Sequence, residues 1–199
     1  MICGIVLAAG RSRRMGEPKA LLRAGNQTFL ERAVCALSEG GCELVIVVVG
    51  PLDQEGARDI AEDAAALDAG IAVNPDPAAE QADSLRIGLL AVPPETEAVV
   101  VAPVDVPDVS GALVRAVIEA WRRTDAPLAA PARGGRHGHP VLFARSLFAE
   151  LLRRDLPEGA RTVVHAHAAR MATVPVDALA PDVDTPEDYR RWREAAWSG

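Results

Sequence analysis

The stretch Ile2–Lys19, ICGIVLAAGRSRRMGEPK, joins an apolar run directly to a basic loop that contains two glycines. The run Ile2–Ala8 predicts a buried strand of a mainly parallel sheet, because strands covered on both faces are continuously apolar. In the loop, Gly10 and Gly16 permit positive φ angles and let backbone N–H groups approach a ligand closely. Consecutive amides of this kind form an anion-binding nest. Basic side chains surround the nest at Arg11, Arg13, Arg14 and Lys19. This pattern predicts a polyphosphate-binding loop, and the alternative is a solvated basic turn.

The spacing of this loop excludes two common phosphate-binding motifs. The interval from Gly10 to Gly16 is one residue longer than in a Walker loop, and Glu17-Pro18 stands where that motif ends in Gly-Lys-Ser/Thr. The loop is not a GxGxxG dinucleotide fingerprint either. Lys19 is the only lysine among the 21 lysine and arginine residues of the chain. A compact ammonium fits among phosphate oxygens where a planar guanidinium does not, which favours a specific role for Lys19.

The composition is that of one globular domain over residues 1–199. Apolar residues make up 49% of the chain and charged residues 25%, as in folded proteins with a sizeable core. The formal net charge of −7 argues against nucleic acid or an anionic membrane as the primary partner. The N-terminus lacks a signal-peptide pattern, and no apolar run is long enough for a membrane span. We therefore expect a cytoplasmic protein with no nucleic-acid or membrane partner.

The three cysteines, Cys3, Cys35 and Cys42, are too few and odd in number for a disulfide framework. Because no pair has the spacing of a zinc site, we expect them to be small core residues in a reducing compartment.

Short β-rich runs alternate with helical patterns, which is typical of βαβ units around a largely parallel sheet. The predicted strands are Ile2–Ala8, Glu43–Val49, Ile71–Asn74, Ala98–Ala102, Leu128–Pro131 and Met171–Val176. The predicted helices are one capped by Thr28 with Glu31 that runs to about Ser38, Asp53–Leu67, Ser84–Ala91, Ser110–Arg123 and a last helix that opens at Thr185. The expected fold class is α/β, a three-layer α/β/α, Rossmann-like arrangement with ligands at the carboxyl ends of the strands.

The loop resembles the N-terminal signature of nucleotidyltransferases, and specifically of the MobA-like NTP transferases that finish molybdenum cofactor. The resemblance extends over nearly all of the chain and implies a sheet of the nucleotide-diphospho-sugar transferase type. It implies that the loop holds the triphosphate, with Arg14 and Lys19 as catalytic residues. The nucleotide-binding residues implied in the loop are Leu7, Ala8, Ala9, Gly10, Arg11, Ser12, Gly16 and Lys19.

Two aspartates are candidates for metal binding. Asp105 follows a buried strand, so it faces the crevice at the carboxyl end of the sheet. Asp184 immediately precedes the Thr185 cap of the last helix. Transfer at the α-phosphorus of an NTP requires a hard divalent cation, and the resemblance implies that both carboxylates bind Mg²⁺, or Mn²⁺ in its place. It also implies a catalytic role for Asp105, with Asp182 as the weaker candidate for the second ligand. The alternatives are a turn-forming aspartate at 105 and acids that serve only the helix dipole.

The segment NPDPAAEQADSLRIGL, residues 74–89, resembles the family segment that holds the base and the sugar. By that resemblance Asn74, Ser84 and Leu85 are nucleotide-binding. Family members show a glycine and a Ser-Ser-Leu start where this chain has Glu80 and Gln81 followed by Ala-Asp-Ser-Leu.

The segment RGGRHGHP, residues 133–140, resembles the acceptor-side loop of the molybdopterin-handling members. The acceptor-binding residues that this resemblance implies are Arg136, His137, Gly138, His139 and Arg161. The last of these lies in a Gly-Ala-Arg motif that lacks the usual Gly-Asp before it. The alternatives for the loop are an ordinary exposed turn and a histidine metal site. His165 and His167 are expected to be surface residues.

The choice of nucleotide depends on Ala9. Guanylyltransferase members tend to have LAGG where this chain has LAAG, so the resemblance favours CTP and the cytosine form of molybdenum cofactor. The alternatives are GTP, transfer of CTP to another small phosphorylated acceptor, and a non-catalytic escort that binds a nucleotide or the cofactor. The resemblance also implies a molybdoenzyme, or its chaperone, as a partner that collects the product.

Overall fold

The computed structural model describes residues 1–10, 12, 14–78 and 80–196. The strands within this part of the chain are β1 (Ile2–Leu7), β2 (Arg23–Ala24), β3 (Gln27–Thr28), β4 (Leu44–Val49), β5 (Gly70–Val73), β6 (Ala98–Pro103), β7 (Leu128–Arg133), β8 (Arg136–His137), β9 (Val141–Ala144) and β10 (Ala172–Pro175). The helices are α1 (Phe29–Gly40), α2 (Ala57–Ala66), α3 (Gln81–Ala91), α4 (Gly111–Arg122), α5 (Phe148–Leu151), α6 (Ala160–His167) and α7 (Pro186–Ala196).

The main sheet has the strand order β10-β7-β9-β6-β1-β4-β5, with β8 paired to β7. Strand β1 lies in its centre, parallel to β4 on one side and to β6 on the other. Strand β9 is antiparallel to both of its neighbours, β6 and β7, and is the only strand of this path with that direction. Because all other strands of the path run the same way, their carboxyl ends share one edge, where the loops after β1 and β6 meet.

Helices cover both faces of this sheet, so the predicted three-layer architecture is confirmed. The alternation along β1 shows the two cores: Ile2 and Val6 contribute to one, and Cys3 and Ile5 to the other. The first core is completed by α1, α2, α4 and α7, and the second by α3, α5 and α6. No helix in the described part of the chain combines the length and the apolar character that crossing a bilayer requires.

Glycines set how closely the layers approach. A Cβ atom at Gly40 of α1 would lie 2.3 Å from Cγ1 of Val114 in α4. At Gly88 of α3 it would lie 2.8 Å from Cγ2 of Ile5 in β1. Both distances are shorter than van der Waals contact, so these helices sit against their neighbours only because a side chain is missing.

Several predicted boundaries need correction. Ser84 does not cap α3, because Glu80 and Asp83 form a capping box that begins the helix at Gln81. The helix predicted from Asp53 begins at Ala57, after a turn in which Gln54 N donates to the carbonyl of Pro51. The elements that were not predicted are the strand β9, the antiparallel pairs β2–β3 and β7–β8, and the helices α5 and α6. The capping box of Thr28 with Glu31 and the Ser110 cap of α4 are confirmed.

Candidate active site

The loop after β1 folds back on itself at the carboxyl edge of the sheet. Ser12 has a φ of 46° and Gly16 a φ of 78°, both in the left-handed region. The carbonyl of Ser12 accepts a hydrogen bond from Met15 N at 2.8 Å, and its Oγ accepts one from Lys19 N at 2.9 Å. The serine therefore closes the loop and fixes where the lysine side chain begins.

The Lys19 ammonium lies between two carboxylates. Its Nζ is 3.0 Å from Asp105 Oδ2 and 2.5 Å from Asp184 Oδ1, although Asp184 is 165 residues away in the chain. The lysine side chain is only 14% exposed. Burial alone would lower the pKa of Lys19, but the hydrogen bond to Asp184 and the charge of Asp105 outweigh it, so its pKa is raised. The ammonium stays protonated and holds the two acids together.

Backbone contacts place the two acids side by side. Val104, which precedes Asp105, donates its amide to the carbonyl of Leu7 at the end of β1. The amide of Val183 donates to the carbonyl of Asp105 at 2.8 Å. These bonds join the segments after β1, after β6 and before α7 into one rim.

A capping box at the start of α7 orients Asp184. Thr185 Oγ1 accepts from the amide of Asp188, and Asp188 Oδ2 accepts from the amide of Thr185 at 2.9 Å. The same oxygen accepts from the amide of Asp184 at 3.3 Å. Asp188 therefore positions the backbone that carries the candidate metal ligand.

The carboxylates of Asp105 and Asp184 fit a divalent cation. Both already converge on one positive charge, and carboxylate oxygens are the donors that Mg²⁺ and Mn²⁺ prefer. The described residues contain no cluster of three or more His, Cys, Asp or Glu side chains arranged for a metal. Asp182 lies near both acids, and burial, with the charge of Asp105 next, raises its pKa.

Most of the predicted triphosphate loop lines this crevice, whose volume is about 490 Å³. The predicted residues among its lining are Leu7, Ala8, Ala9, Gly10, Ser12, Arg14, Lys19, Ser84, Asp105 and Asp184. Gly16 lines an adjoining cavity instead. Arg11 lies outside the described residues.

Two of the predicted nucleotide-binding residues, Leu85 and Asn74, do not line the crevice. Leu85 is only 3% exposed and belongs to the hydrophobic core on the α3 face, so the structure does not place it in the crevice. Asn74 is buried, and its Nδ2 donates to Ser84 Oγ at 3.2 Å. It supports the crevice wall through Ser84 rather than lining the crevice.

Of the predicted acceptor-binding residues, His139 lies near the acids of the site, whereas Arg136 and His137 do not line the crevice. Burial lowers the pKa of His139. The nearby charges of Asp182 and Asp105 oppose this shift, and that of Arg161 adds to it. The amide of Gly138 donates to the carbonyl of Pro131, which anchors this loop to β7. Arg136 and His137, the other two predicted residues, are exposed on β8, and the structure does not bring them to the crevice lining.

Several residues that line the crevice or the adjoining cavity were not predicted from the sequence. Pro18, Ile60 and Gln81 line the crevice, and Gln54 lines the adjoining cavity. Pro18 and Gln81 lie inside the two family-like segments, 2–19 and 74–89, at positions to which the resemblance assigns no role. Ile60 and Gln54 lie in no motif with a recognisable spacing. His167 was expected at the surface but is half-buried and pairs with Glu150 at 2.9 Å.

Comparison with known proteins decides the family. Residues 4–171 match the MobA-like NTP transferase domain. The chain belongs to the MobA-like NTP transferase family. This confirms the family and the fold type predicted from the glycine loop, and it makes the chain a member of a nucleotidyltransferase family.

Among MobA-like relatives, the match to a probable molybdenum cofactor guanylyltransferase from Mycobacterium avium is 30% identical over 98% of this chain and 96% of that protein. A 2-C-methyl-D-erythritol 4-phosphate cytidylyltransferase from Streptomyces coelicolor is 37% identical over 64% of the chain and 48% of its own length. Matches to two other guanylyltransferase-named relatives, from Pelotomaculum thermopropionicum and Opitutus terrae, span only about a quarter of those proteins, 26% and 23%.

Among solved structures, the Mycobacterium tuberculosis protein Rv0371c superposes with a TM-score of 0.84 at 31% identity, over 98% of both chains. The same protein solved with manganese is 32% identical with a TM-score of 0.79, again over 98% of both chains.

Proposed function

We propose that this chain transfers a nucleoside monophosphate from an NTP to the phosphate of molybdenum cofactor and releases pyrophosphate. The observation that carries the proposal is the Lys19 ammonium, held between Asp105 and Asp184 at the mouth of the glycine loop. A half-buried ammonium with two acids beside an anion-binding loop suits a charged phosphoryl centre. Family membership and the name of the M. avium relative support the choice of reaction and acceptor.

In the proposed reaction, an oxygen of the acceptor phosphate attacks the α-phosphorus in line, and the bond from the α-phosphorus to the pyrophosphate oxygen breaks. Backbone amides of the glycine loop hold the triphosphate. In the nucleotide complex Lys19 exchanges its carboxylate partners for phosphate oxygens and stabilises the charge on the departing pyrophosphate. Arg14, exposed at the crevice rim, adds a second positive charge there. No protein nucleophile is required, since positioning and charge stabilisation supply the catalysis.

Asp105 and Asp184 would hold the divalent cation, Mg²⁺ or Mn²⁺. When bound, the ion would neutralise charge that develops on the phosphate oxygens. Manganese bound to the M. tuberculosis protein supports a metal in this fold.

For the base we keep two candidates. GTP is supported by the M. avium relative, which is named as a guanylyltransferase and aligns over nearly the whole chain. The sequence favoured CTP, and this preference is not confirmed by that relative. CTP remains the second candidate because Ala9 lines the crevice with a methyl group, and because the S. coelicolor relative is named as a cytidylyltransferase.

The test is pyrophosphate release with GTP, CTP, ATP and UTP, with molybdenum cofactor as acceptor, before and after removal of divalent metal. We expect release with GTP or CTP only, lost on chelation and restored by Mg²⁺ or Mn²⁺. Metal-independent release would overturn the role given to the divalent cation, and tight nucleotide binding without any release would replace this proposal with the escort alternative. A molybdoenzyme or chaperone that collects the product is part of the proposal, tested by binding to the product-loaded protein.

A further inference from the structure

A second cavity adjoins the crevice along the glycine loop. Its volume is about 520 Å³, and it lies at the carboxyl ends of β1, β4 and β5. The residues that line both cavities are Ala8, Gly10, Ser12, Pro18 and Ile60, so the two spaces lie side by side. Lys19 and Asp105 line only the first of them. A nucleotide with its triphosphate beside Lys19 has this second cavity as the adjoining space for its base.

The walls of the second cavity suit a planar ring. Proline rings from four positions line it, at Pro18, Pro51, Pro75 and Pro77. Its described lining includes no lysine or arginine, whereas the crevice has both. Three acids, Glu17, Asp53 and Glu55, also line it. A cavity whose described lining combines proline rings with acidic side chains is unsuitable for phosphate and suitable for a base.

Gln54 contributes a polar group to this cavity from a fixed turn. Its backbone amide donates to the carbonyl of Pro51 at 2.8 Å, and its backbone carbonyl accepts from the amide of Ala57 at 3.1 Å. The side-chain amide lies over Gly50, where an added Cβ would be 3.1 Å from Gln54 Oε1. Gly50 therefore leaves room for the amide at the cavity wall.

The Oε1 atom of Gln54 is buried and has no hydrogen-bond partner among the described residues. A buried acceptor without a donor is unfavourable, and a ligand that offers a donor relieves this. Glutamine torsions have several staggered minima, and binding to a base requires that the amide turns from Gly50 toward the cavity.

We propose that the side-chain amide of Gln54 reads the hydrogen-bonding edge of the nucleotide base, an inference that rests on the proposed nucleotidyl transfer. An amide presents one acceptor and one donor side by side. This pair matches N4–H₂ and N3 of cytosine, and it equally matches N1–H and O6 of guanine. Gln54 is thus a base-binding residue for either of the two candidate nucleotides, and a change of its donor/acceptor pattern should shift the preference between them.

The test uses Gln54→Glu, Gln54→Leu and, as matched control, Gln27→Glu on the exposed β2–β3 hairpin. A carboxylate has only acceptors, which match N1–H and N2–H₂ of guanine but oppose N3 of cytosine. We expect Gln54→Glu to raise the GTP-to-CTP ratio of kcat/KM about tenfold, and Gln54→Leu to lower kcat/KM for the preferred nucleotide about tenfold, mainly through KM. Gln27→Glu should leave the ratio unchanged.

The same ratio is measured from calorimetric dissociation constants of GTP and CTP, so the inference is tested even without turnover. A Gln54→Glu protein that folds and keeps the wild-type GTP-to-CTP ratio in both measurements overturns the reading of the base. Absence of pyrophosphate release by the wild type, with a binding ratio that still shifts in Gln54→Glu, overturns the proposed reaction and leaves the base reader in place.

Discussion

The hydroxyl of Tyr189 donates a 2.7 Å hydrogen bond to the backbone carbonyl of Arg23, 166 residues earlier in the chain. This bond ties α7 to the hairpin that follows the glycine loop. One turn further along α7, Trp192 packs edge-to-face on Phe29 with ring centroids 5.1 Å apart, and its Nε1 donates to Asp108 Oδ1 at 2.9 Å. The helix that begins beside Asp184 therefore also holds the segments around the lysine and Asp105.

Replacement of Trp192 should be the more damaging change in this helix. Trp192 is only 7% exposed, so Trp192→Ala leaves a cavity and should lower the free energy of unfolding by about 3–5 kcal/mol. Tyr189→Phe removes one hydrogen bond and should cost about 1 kcal/mol. Urea denaturation measures both, with the exposed Arg190→Ala as control. A cost for Trp192→Ala as small as that of the control would contradict the packing described for α7.

Loss of the Lys19 ammonium should abolish activity without unfolding the protein. Lys19→Ala and Asp105→Ala should each lower the rate of pyrophosphate release by about 100-fold or more, since the proposed reaction needs the ammonium for the departing pyrophosphate and Asp105 for the divalent cation. Lys19→Arg should not restore the rate, because a longer, planar guanidinium cannot take the position of a compact ammonium in this half-buried site. Circular dichroism checks folding, and Arg123→Ala at the residue that follows α4 serves as control. A folded Lys19→Ala protein of wild-type activity would exclude the proposed role.

Acid should weaken the α7 cap through Asp188. Hydrogen bonds from Thr185, then from Arg191, lower the pKa of Asp188 from 3.8 to about 2. Because the pKa is about 2 in the folded protein and 3.8 in the unfolded chain, the ionised carboxylate stabilises the fold at any pH above 3.8. This contribution is lost as the pH falls toward about 2. Wild type should therefore be more stable than Asp188→Asn at neutral pH, with the difference disappearing on acidification. Urea midpoints of the two proteins measure this, and a difference that does not depend on pH would disprove it.

The buried thiols should be unreactive in the native protein. Burial raises the pKa of Cys42 to about 12, and burial also raises the pKa of Cys3, which hydrogen-bonds Thr96. Because the thiolate is the reactive form, a Cys35→Ser protein should show no thiol reaction with a disulfide reagent until it is unfolded. The pKa of this thiol is 9.0 in the unfolded chain, so the stability that the neutral Cys42 thiol contributes is lost as the pH rises from 9 to 12. Cys42→Ala should therefore reduce the loss of stability over this pH range. Fast native reaction of two thiols in Cys35→Ser would contradict the burial.

The central sheet was predictable because β1, β4 and β6 are continuous apolar runs, and the start of α1 because Thr28 and Glu31 form a standard capping box. Strand β9 was not predictable, since its four residues, VLFA, show no periodicity. Its antiparallel direction depends on pairing with β6, about 40 residues earlier in the chain. The beginning of α3 was misplaced because its cap is a glutamate rather than the serine that the pattern favours. At the site, Lys19, Asp105 and Asp184 were each predicted, but their direct ion pairs depend on the tertiary fold.

The unique lysine has a practical consequence. Apart from the terminal amine, the side chain between Asp105 and Asp184 carries the one primary amino group of the chain. Reductive methylation with a ¹³C label would therefore place a single side-chain NMR probe in the protein, at the site itself. The chemical shift of that probe would follow the exchange of carboxylate partners for phosphate directly, and protection from an amine-reactive reagent would report occupancy of the crevice without any assay of turnover.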